Sequence, residues 1–321
     1  MSELHKFIFD GLPVRGMIVR LTSTWQEVLK RRAANTSTGP YPPRVSEMLG
    51  EMLAAGALMQ SNIKFNGALV LQIMGDGPVK MAVAEVQSDL SMRATATVQG
   101  EVAIDAKLSE MVNVLNKGRC AITLDPKDKH PGQQSYQGVV PLHGDHNEKL
   151  ESLSSVLEHY MLQSEQLDTK LVLAADEHVA AGLLIQRLPV QGEKNLGQKS
   201  NEDEIGINEA FNRIALFAAS LKRDELLSLD ADTILHRLFW EEKVLRFEPA
   251  QPRFACTCSR ERVASMLHSL GAAEVESILT EREQVEVGCD FCGVQYRFDA
   301  VDAAAIFTQP LDQLPGPSTV Q

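Results

Sequence analysis

The stretch Cys256-Thr-Cys258-Ser-Arg-Glu-Arg262, followed by Cys289-Asp-Phe-Cys292-Gly293, decides how the last quarter of this chain folds. Two close pairs of thiolates match the tetrahedral four-sulfur site that zinc prefers. These residues are four of only five cysteines, whereas a secreted disulfide scaffold spreads its cysteines along a short chain. The sequence therefore predicts one Zn²⁺ per chain, bound by Cys256, Cys258, Cys289 and Cys292.

The residues around the two pairs predict a small zinc unit over residues 253–308. Alternation from Gln284 to Phe298 predicts a hairpin whose tip carries Cys-x-x-Cys-Gly, and Gly293 tolerates the positive φ that this tip requires. Between the pairs, apolar residues recur at helical spacing: Val263, Met266, Leu267, Leu270, Val275, Ile278 and Leu279. A unit this small usually needs a metal or disulfides to fold.

The Cys-x-Cys spacing of the first pair leaves two interpretations open. Structural zinc sites mostly space their ligands more widely, so the tighter pair is either a variant without consequence or part of a site built to be dismantled. Thiolates are both the metal ligands and the oxidisable groups, and each pair is near enough in sequence to close its own disulfide. Losing zinc, which supplies on the order of 10–16 kcal/mol in small peptides, would unfold the unit.

Residues 1–192 are predicted to form an α+β domain. Apolar residues at helical spacing from Val45 to Met59 predict one helix with a wide apolar stripe. Gly75-Asp76-Gly77-Pro78 interrupts two alternating runs, which predicts a strand, a tight turn and a strand rather than a phosphate loop, since no helix N-terminus follows. Further strands and one more helix are expected at Ala94–Val98, Cys120–Leu124, Gly138–Leu142, Leu150–Tyr160 (the helix) and Leu183–Leu188. Cys120 is expected to be a buried structural thiol.

Residues 193–252 are predicted to form a helical linker, and residues 309–321 a disordered tail. The linker begins with a polar stretch to Glu204, and amphipathic segments follow at about 208–221 and 225–240. Helices this short are marginal alone, so their apolar stripes must be buried on a neighbouring domain.

Composition excludes several classes of protein. The 321 residues carry a net charge of −12, with 43 acidic against 31 basic side chains, which works against non-specific binding to phosphate. No stretch approaches the ~20 apolar residues of a membrane span, and the start lacks the pattern of a secretory signal. A cytoplasmic protein without a nucleic-acid or membrane partner is therefore expected.

Several short motifs, taken with the cysteine pattern, resemble the 33 kDa chaperonin family of redox-regulated bacterial heat-shock holdases. The cysteine motifs resemble that family's redox-switch domain. The other matches occur in the family's order along nearly the whole chain: Val14-Arg15-Gly16, Gly75-Asp76-Gly77-Pro78, Val98-Gln-Gly-Glu101, Tyr136-Gln-Gly-Val139, Ser164-Glu-Gln-Leu167, Glu225-Leu-Leu and Leu238-Phe-Trp-Glu-Glu242.

The resemblance implies a function. Members of the family bind zinc through the four cysteines when reduced and inactive. Oxidants such as hypochlorous acid, or peroxide with heat, form disulfides within each pair, here Cys256–Cys258 and Cys289–Cys292, and release the zinc. The linker then loses order, the protein holds unfolding clients without ATP, and oxidised members dimerise.

Three other functions are disfavoured by the residues near the cysteines. A zinc-ribbon nucleic-acid binder, the main alternative, needs a basic or aromatic face, whereas acidic residues crowd this region: Glu274, Glu276, Glu281, Glu283, Glu286 and Asp290. A zinc hydrolase or deaminase needs an open coordination position and a general base, and His268 lies in a helix without the deaminase signature. A thiol oxidoreductase places Cys-x-x-Cys at the start of a helix, whereas here the motif is predicted at the tip of a hairpin. A non-enzyme is expected.

Overall fold

A computed structural model describes residues 1–35, 38–128, 134–188 and 201–308 of the chain. Its strands are β1 (Glu3–Phe9), β2 (Val14–Leu21), β3 (Gly67–Met74), β4 (Val79–Gln87), β5 (Ser91–Val98), β6 (Arg119–Pro126), β7 (Tyr136–Pro141), β8 (Thr169–Ala175), β9 (Ala180–Arg187), β10 (Val244–Arg246), β11 (Arg253–Phe254), β12 (Val285–Gly288) and β13 (Gln295–Phe298). Its helices are α1 (Ser23–Ala33), α2 (Pro43–Asn62), α3 (Leu108–Val112), α4 (Leu153–Glu165), α5 (Asn201–Ala219), α6 (Arg223–Ser228), α7 (Ala231–Phe239), α8 (Arg260–Leu270), α9 (Ala272–Glu281) and α10 (Ala300–Thr308).

Two large sheets and one hairpin organise these elements, which confirms the α+β prediction. The first sheet has the strand order β10-β1-β2-β9-β8, and the second has the order β11-β5-β4-β3-β6-β7. Neighbouring strands are antiparallel except β11, which runs parallel to β5. The expected hairpin around Gly75-Asp76-Gly77-Pro78 is present as β3 and β4, and Asp76 fixes its turn by accepting hydrogen bonds from the backbone of Leu115 and Lys117.

The long helix α2 lies between the two sheets. It contacts strands of both of them, so it is buried on more of its circumference than the single stripe expected from the sequence. Small residues make this close packing possible. A Cβ atom on Gly50 would lie 2.5 Å from the Cβ atom of Ala175 in β8, and one on Gly56 would lie 2.9 Å from Val86 in β4.

Helices α5, α6 and α7 cover the outer face of the five-stranded sheet. The apolar side chains of this contact form one buried cluster: Phe7, Phe9, Val14, Ile18, Leu183 and Ile185 from the sheet, and Phe211, Ile214, Leu226, Ile234, Leu235 and Phe239 from the helices. We call this sheet surface the covered face. Arg20 in β2 adds polar contacts by donating to the backbone carbonyls of Leu226 and Leu229, at 3.2 and 3.0 Å.

The linker prediction needs two corrections. The segment 225–240 is not one helix, because α6 ends at Ser228 and Asp230 begins α7 as its N-cap, accepting a hydrogen bond from the Thr233 backbone at 2.8 Å. The first helix also begins earlier than expected, since α5 starts at Asn201, within the polar stretch to Glu204. Residues 189–200 and the predicted disordered tail lie outside the described residues.

Another correction concerns the second helix of the N-terminal region. Leu150 lies before α4 instead of within it, because Ser152 caps the helix by accepting a hydrogen bond from the Ser155 backbone.

The last unit of the chain packs around its own small core. Helices α8, α9 and α10 surround the hairpin β12–β13, and the buried residues are Leu267, Val275, Val285, Phe298, Ala303 and Ile306. The chain enters this unit along β11, at the edge of the six-stranded sheet. Within the described residues, no helix is both long and apolar enough to cross a membrane.

Candidate metal centre

Two local structures bring the four cysteines together, and we call the four residues the cysteine cluster. Cys256 and Cys258 lie between β11 and α8, where Ser259 caps the helix by accepting a hydrogen bond from the Arg262 backbone. Cys289 and Cys292 lie at the tip of β12–β13. Gly293 closes that tip at φ +75°, and its amide donates to the Cys289 carbonyl at 2.8 Å.

The spacing of the four sulfur atoms fits a tetrahedral metal site. All four Sγ atoms lie within 4.8 Å of one another. Cys256 and Cys289 are 3.7 Å apart, and Cys258 and Cys292 are 3.3 Å apart. A tetrahedron with Zn–S bonds of about 2.3 Å has S–S edges of about 3.8 Å. The cluster can therefore hold a metal ion, and four thiolates in a tetrahedral arrangement are compatible with zinc.

These distances do not favour one disulfide pairing over another. The two shortest contacts join residues of different pairs, 256 with 289 and 258 with 292. The within-pair disulfides implied by the family resemblance therefore stay a prediction.

The thiols of the cluster differ in the direction in which their pKa values are shifted. The pKa of Cys256 is lowered, first because its thiolate accepts a hydrogen bond from Cys289, with a further contribution from Arg93. The same hydrogen bond raises the pKa of Cys289, and burial raises the pKa of Cys292 to about 11. Like charges this close disfavour one another, so a divalent cation is what allows all four sulfurs to ionise together.

Two residues that the sequence did not single out, Tyr296 and Arg93, contact the cluster. The Tyr296 hydroxyl donates to Cys258 Sγ at 3.2 Å, and the guanidinium of Arg93 in β5 lies 3.5 Å from Cys256 Sγ. The same guanidinium stacks on Phe291, 4.1 Å from the ring centroid. Tyr296 was identifiable from the sequence as a strand residue beside the Cys-x-x-Cys hairpin tip. Arg93 is 163 positions from Cys256, and no local pattern in the sequence connects Arg93 with Cys256.

Cys120 and His268 lie apart from the cluster. Cys120 is fully buried in β6, and burial raises its pKa to about 12, which is the environment of an unreactive structural thiol. His268 stacks on Phe307, with ring centroids 5.4 Å apart. Neither residue joins the four-sulfur group.

Comparisons with known proteins agree over nearly the whole chain. A family model described as Hsp33 protein matches residues 2–299. A 33 kDa chaperonin of Chromobacterium violaceum is 45% identical over 310 residues, covering 95% of this chain and 94% of that protein. A 33 kDa chaperonin of Neisseria meningitidis serogroup A is 41% identical over 304 residues, covering 94% of this chain and 90% of that protein.

A solved structure has the same fold. The crystal structure of a 33 kDa chaperonin from Thermotoga maritima superposes with a TM-score of 0.72, covers 95% of this chain and 98% of its own, and is 21% identical in sequence. With a two-sheet α+β fold, a four-cysteine cluster and these relatives, the chain belongs to the 33 kDa chaperonin family.

Proposed function

We propose that this protein is a redox-regulated, ATP-independent holdase that binds unfolding proteins during oxidative stress. In the reduced state, Cys256, Cys258, Cys289 and Cys292 bind one Zn²⁺ and the protein is inactive. The observation that carries this proposal is the position of the cysteine cluster, whose sulfur atoms lie within 4.8 Å of one another in a small unit attached to the sheet edge by β11.

Activation proceeds by oxidation of the cluster. In each pair, two thiolates give two electrons to an oxidant such as hypochlorous acid, whose O–Cl bond breaks to give chloride and hydroxide, while one S–S bond forms, as Cys256–Cys258 and Cys289–Cys292. The sulfurs then no longer serve as anionic ligands, and zinc leaves. The core of the unit contains only a few large apolar residues, so it does not stay folded without the metal.

The client-binding surface is the covered face of the five-stranded sheet. Helices α5, α6 and α7 shield its aromatic and aliphatic side chains, and α6 and α7 are much shorter than the ~12–15 residues that an isolated helix needs. When the zinc unit unfolds, these helices lose support at their C-terminal end and expose an apolar surface of the kind that binds unfolded chains.

Other features of the proposal follow from the same interpretation. The protein is not an enzyme, because closed four-sulfur coordination offers zinc no open position for a substrate. Its partners are unfolding proteins and, when it is oxidised, a second copy of the chain, with no nucleic acid and no membrane. Its place of action is the cytoplasm.

Cysteine-to-serine variants test this function. In wild type, oxidant should release one zinc per chain, produce the two within-pair disulfides in mass mapping, and allow suppression of the aggregation of a heat-unfolding test enzyme. Replacing either pair should abolish this redox control, whereas Cys120→Ser should behave as wild type. Disulfides that mainly join one pair to the other would contradict the pairing, and oxidised protein without holdase activity would contradict the function.

A further inference from the structure

Arg93 connects the six-stranded sheet to both cysteine pairs. Its Nη1 atom lies 3.5 Å from Cys256 Sγ, and its Cζ atom lies 4.1 Å from the ring centroid of Phe291, between Cys289 and Cys292. One side chain of the N-terminal domain therefore contacts a thiol of the first pair and the residue at the centre of the second.

Glu85 holds this arginine in place. Its Oε2 atom accepts hydrogen bonds from Arg93 Nε at 3.0 Å and Nη2 at 2.6 Å, and the two side chains are only 13% and 15% exposed. Guanidinium donors have a fixed planar arrangement. Because Nε and Nη2 are occupied by Glu85, Nη1 is directed towards the sulfur.

Backbone contacts flank the arginine on the same strand. The Ala255 amide donates to the Met92 carbonyl at 3.1 Å, and the Thr95 hydroxyl donates to the Asp290 carbonyl at 3.0 Å. Residues 92, 93 and 95 of β5 thus form a continuous contact with both cysteine-bearing segments. We call this contact the β5 contact.

We propose that Arg93 keeps the zinc unit docked on β5 through the attraction between its guanidinium and the negative charge of the cysteine cluster. Four thiolates around a divalent cation leave a net negative charge next to the guanidinium, and a charge-assisted contact of this kind is stronger than a neutral one. Disulfides are neutral, so oxidation removes the attraction while leaving the Arg93–Glu85 pair intact. Arg93 is thus a positioning residue, and only the oxidation step of this inference rests on the proposed function.

The test uses the reduced, zinc-loaded, full-length protein without oxidant. The main variant is Glu85→Gln with Arg93→Gln, which removes the charge and avoids leaving a lone carboxylate. Hydrogen exchange at the Ala255 amide and zinc transfer to a chromophoric chelator should each become about tenfold faster, as expected for losing roughly one cation–π and one charged contact. Zinc stoichiometry should stay at one.

Two further variants separate this attraction from general stability. Arg260→Gln is the matched control, because Arg260 also stacks on a phenylalanine, Phe298, at 4.2 Å and pairs with Asp302, but within the zinc unit. It should keep the wild-type rate of exchange at the Ala255 amide, because both of its contacts lie within the zinc unit. Phe291→Leu removes the stacking and keeps the charge next to Cys256, so its rates should fall between those of wild type and the double variant.

Two results would overturn the inference. One is that the double variant exchanges the Ala255 amide and transfers zinc at the wild-type rates. The other is faster exchange throughout β4 and β5 with unchanged zinc transfer, which would mean that the arginine only stabilises the sheet. Both readouts are taken in reduced protein, so they stand even if oxidised wild type kept its zinc and the proposed function failed.

Discussion

The protonation of the cysteine cluster predicts that zinc binding by these four residues depends on pH. Burial raises the pKa of Cys292 to about 11, and the hydrogen bond to Cys256 raises that of Cys289, so both thiols are protonated at neutral pH in the absence of metal. Zinc requires thiolates and must displace these protons. Metal affinity therefore rises with pH, and acid favours release even without an oxidant.

We predict that zinc affinity falls roughly 100-fold when the pH is lowered from 8 to 7, because at least two protons are taken up as zinc leaves. Competition with a chromophoric chelator over this range measures the slope. Cys120→Ser should give the same slope, since Cys120 lies outside the cluster. An affinity that does not change with pH would mean that the thiols are already ionised.

Glu51 in α2 is a second residue whose environment predicts a pH effect. Burial raises its pKa to about 7, with Arg44, Glu47 and Arg223 as charged neighbours. Between an unfolded pKa near 4.5 and the folded value near 7, the native chain binds the proton more tightly than the unfolded chain. Glu51 therefore lowers stability as pH rises through this interval, and the full penalty applies above pH 7.

Glu51→Gln should stabilise the protein by roughly 1–3 kcal/mol at pH 8 and have little effect at or below pH 4.5. Thermal unfolding followed through the buried Trp25 at both pH values measures this difference. Glu27→Gln is the control: Glu27 is on α1 and pairs with Arg31, and it is not one of the charged neighbours of Glu51, so its loss should give no gain at pH 8. An equal gain at both pH values would exclude a titration effect.

At the scale of the elements, the proposed regulation depends on the docked helices α5, α6 and α7. Leu235 in α7 is 6% exposed and belongs to the cluster on the covered face, and Leu238 packs against its border. Both positions contribute apolar burial at about 25 cal/mol per Å². A charge there would be buried without a partner, which is strongly unfavourable.

Leu235→Glu and Leu238→Glu should therefore give holdase activity without oxidant while zinc stays bound. Light scattering from a heat-unfolding test enzyme, with zinc measured in the same sample, checks this expectation. Leu216→Glu is the matched control, because Leu216 is on α5 but 70% exposed and should leave the reduced protein inactive. Inactive Leu235 and Leu238 variants, with helices as resistant to protease as wild type, would contradict the docking model.

Local patterns explain why some elements were predictable and others were not. The β3–β4 hairpin follows from strict alternation around a Gly-Asp-Gly-Pro turn, and the tip of β12–β13 follows from Cys-x-x-Cys-Gly, since both depend on neighbouring residues. The split between α6 and α7 depends on one cap, Asp230, inside a continuous apolar pattern. Strands β10 and β11 have two or three residues each and exist only through pairing with β1 and β5, so no local pattern predicts them.

At the scale of the whole molecule, the connection from α7 to the zinc unit pairs with both large sheets. β10 extends the five-stranded sheet next to β1, and β11 extends the six-stranded sheet next to β5. The helices that shield the covered face therefore lie on the same chain segment that leads into the zinc unit. In the proposed function, this connection transmits the unfolding of the zinc unit to the helices that shield the covered face.

The most direct test follows zinc release, exposure of the covered face and holdase activity in one titration of the full-length protein with hypochlorous acid. Chelator absorbance reports zinc, and hydrogen exchange of α5–α7 and of β1, β2 and β9 reports exposure. The account predicts that zinc release, faster exchange in these elements and suppression of test-enzyme aggregation rise together, and that all three reverse when reductant and zinc are added. Full holdase activity with zinc bound and α5–α7 still protected would contradict it.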